Sequence, residues 1–159
     1  MTISQAMTDS RASIRAMKQQ DIAEVHDIEK LCQTAPWSQS HFENEVNEIG
    51  VSEPLVAVIR ARVAGFIVVW YVAREIQINN IGVHPKCRRQ GIGRILLSEA
   101  LRFGREKGCD AAHLEVRQSN TSALHLYKAA GFQQVYLREG YYSDNLENAI
   151  VMKKPSLAL

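Results

Sequence analysis

The sequence has few cysteines, and these lie too far apart to form a recognisable metal or disulfide motif. It contains three, Cys32, Cys87 and Cys109, with neither a C-x-x-C spacing nor a cluster of histidines beside them. Isolated cysteines in an odd number are typical of a reducing compartment. We therefore expect a cytoplasmic protein that holds no metal.

Long apolar runs and a strong excess of one charge are also missing. The longest apolar stretch, residues 63–73, is shorter than the ~20 residues that span a bilayer, and residues 1–12 lack the apolar segment of a signal peptide. The formal net charge is only +2, and basic and acidic residues are mixed along the chain. We therefore expect no membrane partner and no direct contact with nucleic acid.

What is present is the composition of a globular domain. The chain has 159 residues, of which 46% are apolar and 23% charged, and it contains no repeat or low-complexity linker. We expect a single domain over residues 1–159, with frayed ends at 1–12 and 155–159.

The first third of the chain shows two helical patterns and a hairpin. A short strand at 13–17 precedes Asp21, which suits a helix N-terminus, and a second helix begins at the candidate N-cap Ser38. Residues 55–60 and 63–72 are rich in β-formers and predict a hairpin. The positions expected to face inward are Ile22, Val25, Ile28 and Leu31 in the first helix and Phe42, Val46 and Ile49 in the second.

The strand at 75–83 carries an irregular apolar pattern. Its apolar residues stand at positions 76 and 78 and then at 81 and 83, so the two-residue period shifts by one across Asn79-Asn80. A β-bulge explains this shift, because an extra residue in one strand restores the alternation on its far side. A bulge leaves backbone groups unpaired and splays the strand from its neighbour, which opens a gap for a ligand.

The remaining elements complete a mixed α/β order. A helix begins at Ile92 and ends at Gly108, with Ile92, Ile95, Leu96, Ala100 and Phe103 on one apolar stripe. A strand at 111–116 follows, and then a short helix that is capped by Asn120 or Ser119 and ended by Gly131. Residues 132–138 and 148–153 predict a closing hairpin.

The segment before the third helix has the features of a phosphate-binding loop. Gly91 and Gly93 stand at the mouth of the helix, where orphan N–H groups and the macrodipole favour an anion, and three arginines lie nearby, Arg88, Arg89 and Arg94. The segment lacks the Lys-Ser/Thr of a P-loop and the G-x-G-x-x-G of a dinucleotide fold. A pyrophosphate fits this pattern best. The alternative is that Gly91 only permits a tight turn.

This region resembles the acetyl-CoA motif of the GNAT acetyltransferase superfamily. The similarity rests on Arg88-x-x-Gly91-x-Gly93 after Ile78-Asn79-Asn80-Ile81-Gly82-Val83, and it extends over nearly the whole chain. Other segments narrow it to the ribosomal-protein alanine N-acetyltransferases of the RimI type: Pro36-Trp37-Ser38, Leu114-Glu115-Val116-Arg117, Asn120, Leu126-Tyr127, Ala130-Gly131-Phe132 and Tyr141-Tyr142. The resemblance implies a GNAT fold, in which a mostly antiparallel central sheet opens at a bulged strand and carries helices on both faces.

The resemblance also implies an activity and the residues that serve it. The enzyme would transfer the acetyl group of acetyl-CoA directly to the N-terminal α-amine of a small-subunit ribosomal protein whose first residue is alanine. It would act as a monomer or weak dimer without a metal. Glu115 would be the general base and Tyr127 the general acid, while Trp37, Tyr141 and Tyr142 would bind the protein substrate. CoA would contact Ile81, Gly82, Val83, Arg88, Arg89, Gln90, Gly91, Ile92, Gly93, Arg94 and Asn120.

Each of these residues also has a structural interpretation. Glu115, between apolar Leu114 and Val116, faces a cleft or forms a surface ion pair with Arg117 or Lys128. The ring of Tyr127 packs in the core, whether or not its hydroxyl faces the cleft. The structural alternative for Asn120 is that it only caps a helix. Tyr141-Tyr142 either binds a peptide or closes the core. Cys87 lies beside two arginines, which would favour its thiolate, so an alternative mechanism is acetylation of this cysteine as a covalent intermediate.

Two other functions remain open from the residues alone. One is a GNAT enzyme for a lysine side chain or a small amine. The other is a non-catalytic module that binds CoA in order to sense it, which the presence of both Glu115 and Tyr127 argues against.

Overall fold

The computed structural model describes residues 12–158, so residues 1–11 of the N-terminal end predicted to fray (1–12) and residue 159 of the C-terminal one (155–159) lie outside the described part. Over these residues the chain forms seven strands and four α-helices in a mixed order. The strands are β1 (Ser13–Ala16), β2 (Leu55–Ile59), β3 (Arg62–Val72), β4 (Glu75–Val83), β5 (Ala111–Arg117), β6 (Gln133–Arg138) and β7 (Ala149–Lys154). The helices are α1 (Ile22–Cys32), α2 (Gln39–Asn47), α3 (Ile92–Glu106) and α4 (Thr121–Ala129).

The strands form one twisted sheet in the order β1-β2-β3-β4-β5-β7-β6. Neighbouring strands are antiparallel except for β4 and β5, which pair in parallel. The parallel pair requires a crossover, and the long helix α3 provides it. The mostly antiparallel mixed fold that the sequence predicts is therefore confirmed.

Helices cover both faces of the sheet, and the long strand β3 is therefore buried on both sides. Phe66 and Val68 pack on one face against Ile22, Val25 and Ile28 of α1 and Phe42 of α2. Ile67 and Val69 point to the other face, where they pack against α3, α4 and the inner residues of β5 and β7. The nearly continuous apolar run of β3 is typical of a strand buried on both faces.

Two inward-facing predictions for α1 and α2 are wrong in detail. Leu31 is 58% exposed, whereas Glu29 is 1% exposed. At 100° per residue, position 29 falls in line with Ile22 and Val25, while position 31 lies on the opposite side of the helix. In α2 the helix ends at Asn47, so Ile49 lies beyond it and is only partly buried.

The apolar stripe of α3 is wider than the sequence pattern predicts. Leu97, Leu101 and Gly104 are buried in addition to Ile92, Leu96 and Ala100, while Ile95 and Phe103 lie at the edge of the stripe. A Cβ at Gly104 would collide with the side chain of Ile76 in β4. The missing side chain therefore lets α3 lie directly on the strand that carries the bulge.

The C-terminal segment is held against the sheet. Leu157, which belongs to the end expected to fray, is 3% exposed. Its N–H donates to the carbonyl oxygen of Asp110 at 2.9 Å. Between residues 12 and 158, no helix is both long and apolar enough to cross a bilayer.

Candidate active site

The bulge lies where the sequence predicts it and opens the sheet. Val68 stands opposite Asn80 and Val69 opposite Ile78, so Asn79 is the extra residue in β4. Strand β5 pairs with β4 only from Glu75 to Ile78. Beyond this point the two parallel strands diverge, and the backbone of residues 79–83 that faces β5 has no strand partner there.

Two adjoining cavities occupy the gap between the diverging strands. The larger has a volume of about 840 Å³ and extends to the N-terminus of α3. The smaller has a volume of about 310 Å³ and lies above β5 and the bulge. Both are lined by Gln33, Ile81, Arg117, Asn120 and Ala123, so they meet beside the free edge of β4.

The larger cavity is built for an anion at its α3 end. Gly91 is the N-cap of α3 and has φ +77°, a left-handed conformation that favours glycine. A Cβ there would lie 3.3 Å from the guanidinium of Arg94. The arginines Arg88 and Arg89 line the same cavity and are exposed. Free N–H groups of the helix and three guanidinium groups therefore converge on one pocket.

Most residues predicted to bind CoA lie in this cavity. They are Ile81, Val83, Arg88, Arg89, Gly91, Ile92, Gly93, Arg94 and Asn120. Two predicted residues do not line it: Gln90 is exposed outside, and Gly82 faces the core, where a Cβ would lie 2.7 Å from the ring of Phe66. Cys87 lines this larger cavity and not the smaller one, which separates its thiol from Glu115 and Tyr127.

Glu115 lies on the open side of β5 and lines the smaller cavity. Leu114 and Val116 on either side of it are buried, so the alternation of the strand turns the carboxylate outward. Its Oε1 atom forms an ion pair with Nε of Arg138 at 3.2 Å. The surface pair with Arg117 or Lys128 is therefore not the one that forms. The carboxylate also raises the pKa of Tyr141 beside it.

Tyr127 combines packing with access to the cavity. Its side chain on α4 is 5% exposed, and its ring centroid lies 5.8 Å from that of Phe132. The hydroxyl makes no hydrogen bond with another residue of the described chain, yet it is not among the polar atoms sealed from solvent. Tyr127 also lines the smaller cavity. Burial raises the pKa of Tyr127, so the hydroxyl keeps its proton well above neutral pH.

Asn120 has the structural role that the sequence allowed, and it also reaches both cavities. Its Oδ1 atom accepts a hydrogen bond from the N–H of Ala123 at 3.2 Å and so caps α4. The residue lines both cavities at the point where they meet. Capping and contact with a ligand are compatible because capping uses the amide oxygen and leaves the amide nitrogen.

The outer wall of the smaller cavity is made by two loops. Trp37 lies between α1 and α2 and stacks on His41, with ring centroids 3.8 Å apart. Tyr142 lies between β6 and β7, where the guanidinium of Arg117 stands 4.0 Å from its ring centroid. Arg117 also binds Asp144 at 3.0 Å and thereby fixes this loop to β5. Burial raises the pKa of Tyr142 to about 12.

Tyr141 lies outside the cavity that Tyr142 lines. It is 49% exposed and meets Tyr142 edge to face, with ring centroids 5.2 Å apart. Of the three residues predicted to bind the protein substrate, Trp37 and Tyr142 therefore both line the cavity. Tyr141 packs against Tyr142 from outside.

Three residues at or beside the smaller cavity were not predicted from the sequence: Glu29, Arg138 and Asp144. The sequence pattern could have revealed Glu29, because it is a carboxylate at a position in line with the apolar stripe of α1. No sequence pattern could have revealed Arg138, since its contact with Glu115 depends on the pairing order of the last strands.

Comparisons with known proteins agree with this geometry. Residues 22–132 match the model of the acetyltransferase (GNAT) family. A protein of Bacillus subtilis (strain 168) is 36% identical over 143 residues, which are 90% of this chain and 95% of that protein. The ribosomal protein bS18-alanine N-acetyltransferase of Escherichia coli (strain K12) is 32% identical over 145 residues, which are 90% of this chain and 97% of the relative.

A solved structure shows the same arrangement of elements. The crystal structure of the ribosomal-protein-S18-alanine N-acetyltransferase from Escherichia coli superposes with a TM-score of 0.83 at 29% sequence identity. The match covers 93% of this chain and 96% of the other.

Proposed function

This chain belongs to the acetyltransferase (GNAT) family, and on that premise we propose that it acetylates the N-terminal α-amine of a ribosomal protein that begins with alanine. Relatives that this chain covers almost completely carry this activity in their names. The observation that supports the proposal best is the meeting of the two cavities, because Glu115 and Tyr127 both line the smaller one beside that junction.

The larger cavity suits the cosubstrate acetyl-CoA. Its cationic end at Arg88, Arg89 and Arg94 matches a pyrophosphate, and the N-terminus of α3 adds N–H donors. The free edge of β4 offers backbone groups to the amide-bearing pantetheine arm. Acetyl-CoA bound in this way would present its thioester near Ile81, where the two cavities join.

The reaction is a direct transfer in the smaller cavity. The acceptor nitrogen attacks the thioester carbon, a C–N bond forms, the C–S bond breaks, and the sulfur leaves as a thiolate. Glu115 takes the proton that the amine loses, directly or through water, and Tyr127 returns a proton to the thiolate. A backbone N–H freed by the bulge near Ile81 stabilises the oxyanion.

The charge of the cavity suits a cationic acceptor that enters end-on. Glu29 and Glu115 supply carboxylates to its lining, while the charge of Arg117 is neutralised by Asp144. An α-amine has a pKa of about 7.7–8.0 against about 10.4 for lysine, so a single carboxylate base suffices near pH 7.5. An enzyme that acetylates a ribosomal protein would work in the cytoplasm.

Mass spectrometry of reacted peptides tests the acceptor. Peptides that begin with alanine are incubated with acetyl-CoA, alongside the same peptides with a blocked N-terminus and a free lysine. We expect acetylation at the N-terminus of the first set and almost none of the second. Efficient acetylation of the blocked peptides would identify a lysine acetyltransferase, and CoA binding without turnover on either set would identify a sensing module.

A further inference from the structure

Trp37 forms part of the wall of the smaller cavity, and its indole ring is stacked on the ring of His41. The planes of the two rings differ by 4°, and their centroids are 3.8 Å apart. Phe42, which is fully buried, contacts the indole at a tilt of 50° with the centroids 5.3 Å apart. With one face covered and a second contact with a buried ring, the indole has little freedom to rotate.

The contact with Phe42 is usual at the start of a helix, whereas the contact with His41 is not. Ser38 is the N-cap of α2, so Trp37 is the residue before the cap and Phe42 is the fourth residue of the helix. Apolar residues at these two positions commonly pack together and fix the angle at which the chain enters the helix. His41 is the third residue of the helix, where a capping box has Glu or Gln. Its ring lies on the indole instead.

A buried carboxylate lies beside the ring nitrogen of His41. The Nε2 atom of His41 is 3.5 Å from Oε1 of Glu45, which stands one turn further along α2 and has a side chain only 1% exposed. The Oε2 atom of Glu45 accepts a hydrogen bond from the indole N–H of Trp70 on β3 at 2.8 Å. A chain of contacts therefore runs from the central sheet through Glu45 and His41 to the indole of Trp37.

The side chain of His41 adds little to the core of the protein. It is 41% exposed, whereas Phe42 beside it is fully buried and Glu45 already has a hydrogen bond from Trp70. Its main contact is the flat face of the indole, and stacking of this kind contributes beyond the area that it buries. The effect of His41 should therefore be found at the cavity that Trp37 lines.

Building on the proposed function, we propose that His41 is a positioning residue that keeps Trp37 as a rigid wall and so restricts the first side chain of the acceptor to a small one. The acceptor amine reacts beside Glu115, and the first side chain is attached to the carbon that carries this amine. It therefore enters the same cavity of about 310 Å³, which Trp37 lines from one loop and Tyr142 from the other. A fixed indole cannot move aside, so a larger side chain makes strained contacts.

Steady-state kinetics of His41→Ala and His41→Phe test this assignment with two acceptor peptides that differ only in their first residue, alanine or leucine. The quantity compared is the ratio of the two kcat/KM values, alanine over leucine. It should fall about tenfold in His41→Ala, because the freed indole gives way to the larger side chain. His41→Phe keeps a flat ring on the indole without the contact with Glu45, and its ratio should stay within about twofold of that of the wild type.

Asn44→Ala, at an exposed position of α2, is the matched control and should leave the ratio unchanged. Equal loss of activity on both peptides in His41→Ala would show that His41 only supports the fold, and an unchanged ratio would show that it does not restrict the first residue. A fall in His41→Phe as large as in His41→Ala would overturn the role of the stacked ring. If the wild-type enzyme acetylates neither peptide, the proposed function fails and this assignment fails with it.

Discussion

Arg138 Nε lies 3.2 Å from Oε1 of Glu115, although their strands are separated by β7 in the sheet. The guanidinium reaches the carboxylate across that strand and stands 5.7 Å from the ring of Tyr141. Both side chains are partly open to solvent, Arg138 at 42% and Glu115 at 33%. In the free enzyme the candidate base is therefore held by a partner that an incoming amine has to replace.

The first prediction concerns this ion pair. A pair that is this exposed contributes no more than about 1 kcal/mol. Arg138→Gln should therefore change kcat/KM for an alanine peptide by less than about fivefold and leave the thermal midpoint nearly unchanged. Steady-state kinetics and thermal unfolding of the variant measure both quantities. A loss of activity of 100-fold would mean that Arg138 takes part in the reaction.

Glu115→Gln should behave very differently from Arg138→Gln. It removes the proton acceptor and keeps the shape of the side chain, so kcat should fall by ~10²-fold or more. The affinity for acetyl-CoA should stay the same because the larger cavity does not include this residue. Glu75→Gln on β4, another exposed carboxylate, is the control. Normal turnover of Glu115→Gln would leave the residue with only a surface role.

Tyr127→Phe should remove one proton without disturbing the fold. The ring would still pack on Phe132, while the missing hydroxyl should lower kcat by roughly 10²-fold. Tyr136→Phe, at an exposed position on β6, is a control that should retain full activity.

The same residue makes a prediction about pH. Burial raises the pKa of Tyr127 above the usual tyrosine range, so its acid form persists as pH rises. The kcat of the wild-type enzyme should therefore show no loss from ionisation of this tyrosine below about pH 10. A fall in kcat between pH 8 and 9 that is absent in Tyr127→Phe would contradict this.

Gly91→Val should weaken the binding of acetyl-CoA in a protein that still folds. A β-branched side chain at φ +77° is strained and stands against Arg94 at the mouth of α3. We expect the dissociation constant to rise about tenfold or more, since contacts to a charged phosphate are lost. Gly108→Val carries the same backbone strain at φ +90° in open space and should lose stability alone. Calorimetry distinguishes the two variants.

Asp21→Asn should destabilise the fold in a pH-dependent way. Arg15 donates two hydrogen bonds to the Asp21 carboxylate, at 2.7 and 2.9 Å, and chiefly for this reason the pKa of Asp21 is lowered from its ordinary value of 3.8. A lowered pKa stabilises the fold fully above the ordinary value, and this contribution is lost as pH falls through the folded-state pKa. Urea unfolding should show a loss of about 2 kcal/mol at pH 7.

The pH series for Asp21→Asn has a matched control in Asp27→Asn, whose carboxylate is mostly exposed. The difference between wild type and Asp21→Asn should shrink below about pH 4. A difference that stays constant down to pH 2 would show that the carboxylate charge contributes nothing.

Local patterns in the sequence were sufficient to predict the strands and the bulge, while the arrangement of the sheet was implied by the family resemblance. The phase shift at Asn79 identified the bulge, since a strand alternates strictly unless a residue is inserted. The outward direction of Glu115 followed from the same period of two. The cap at Ser38 was also predicted, and Asn120 was one of two candidates for the cap of α4, because capping depends on neighbours three residues away.

Contacts between distant segments could not be predicted in this way. Glu29 finds its partners 8 and 51 residues further along the chain, and its burial depends on both. The outward Leu31 was misjudged because its apolar nature counted for more than its angle on the helix. Arg138 meets Glu115 only because the last two strands enter the sheet in reverse order.

The single extra residue at Asn79 also determines which parts of this sequence can change in length. Deleting it would turn Gly82 away from Phe66 and carry residues 80–83 to the opposite face, so the opening and the approach to Gly91 would be lost together. The segment at 139–148, which contains Tyr142, connects two strands. It has no strand alternation, so a change in its length would not turn the neighbouring side chains to the opposite face. Insertions and deletions there can alter the range of acceptors during evolution while recognition of the acetyl donor is inherited unchanged.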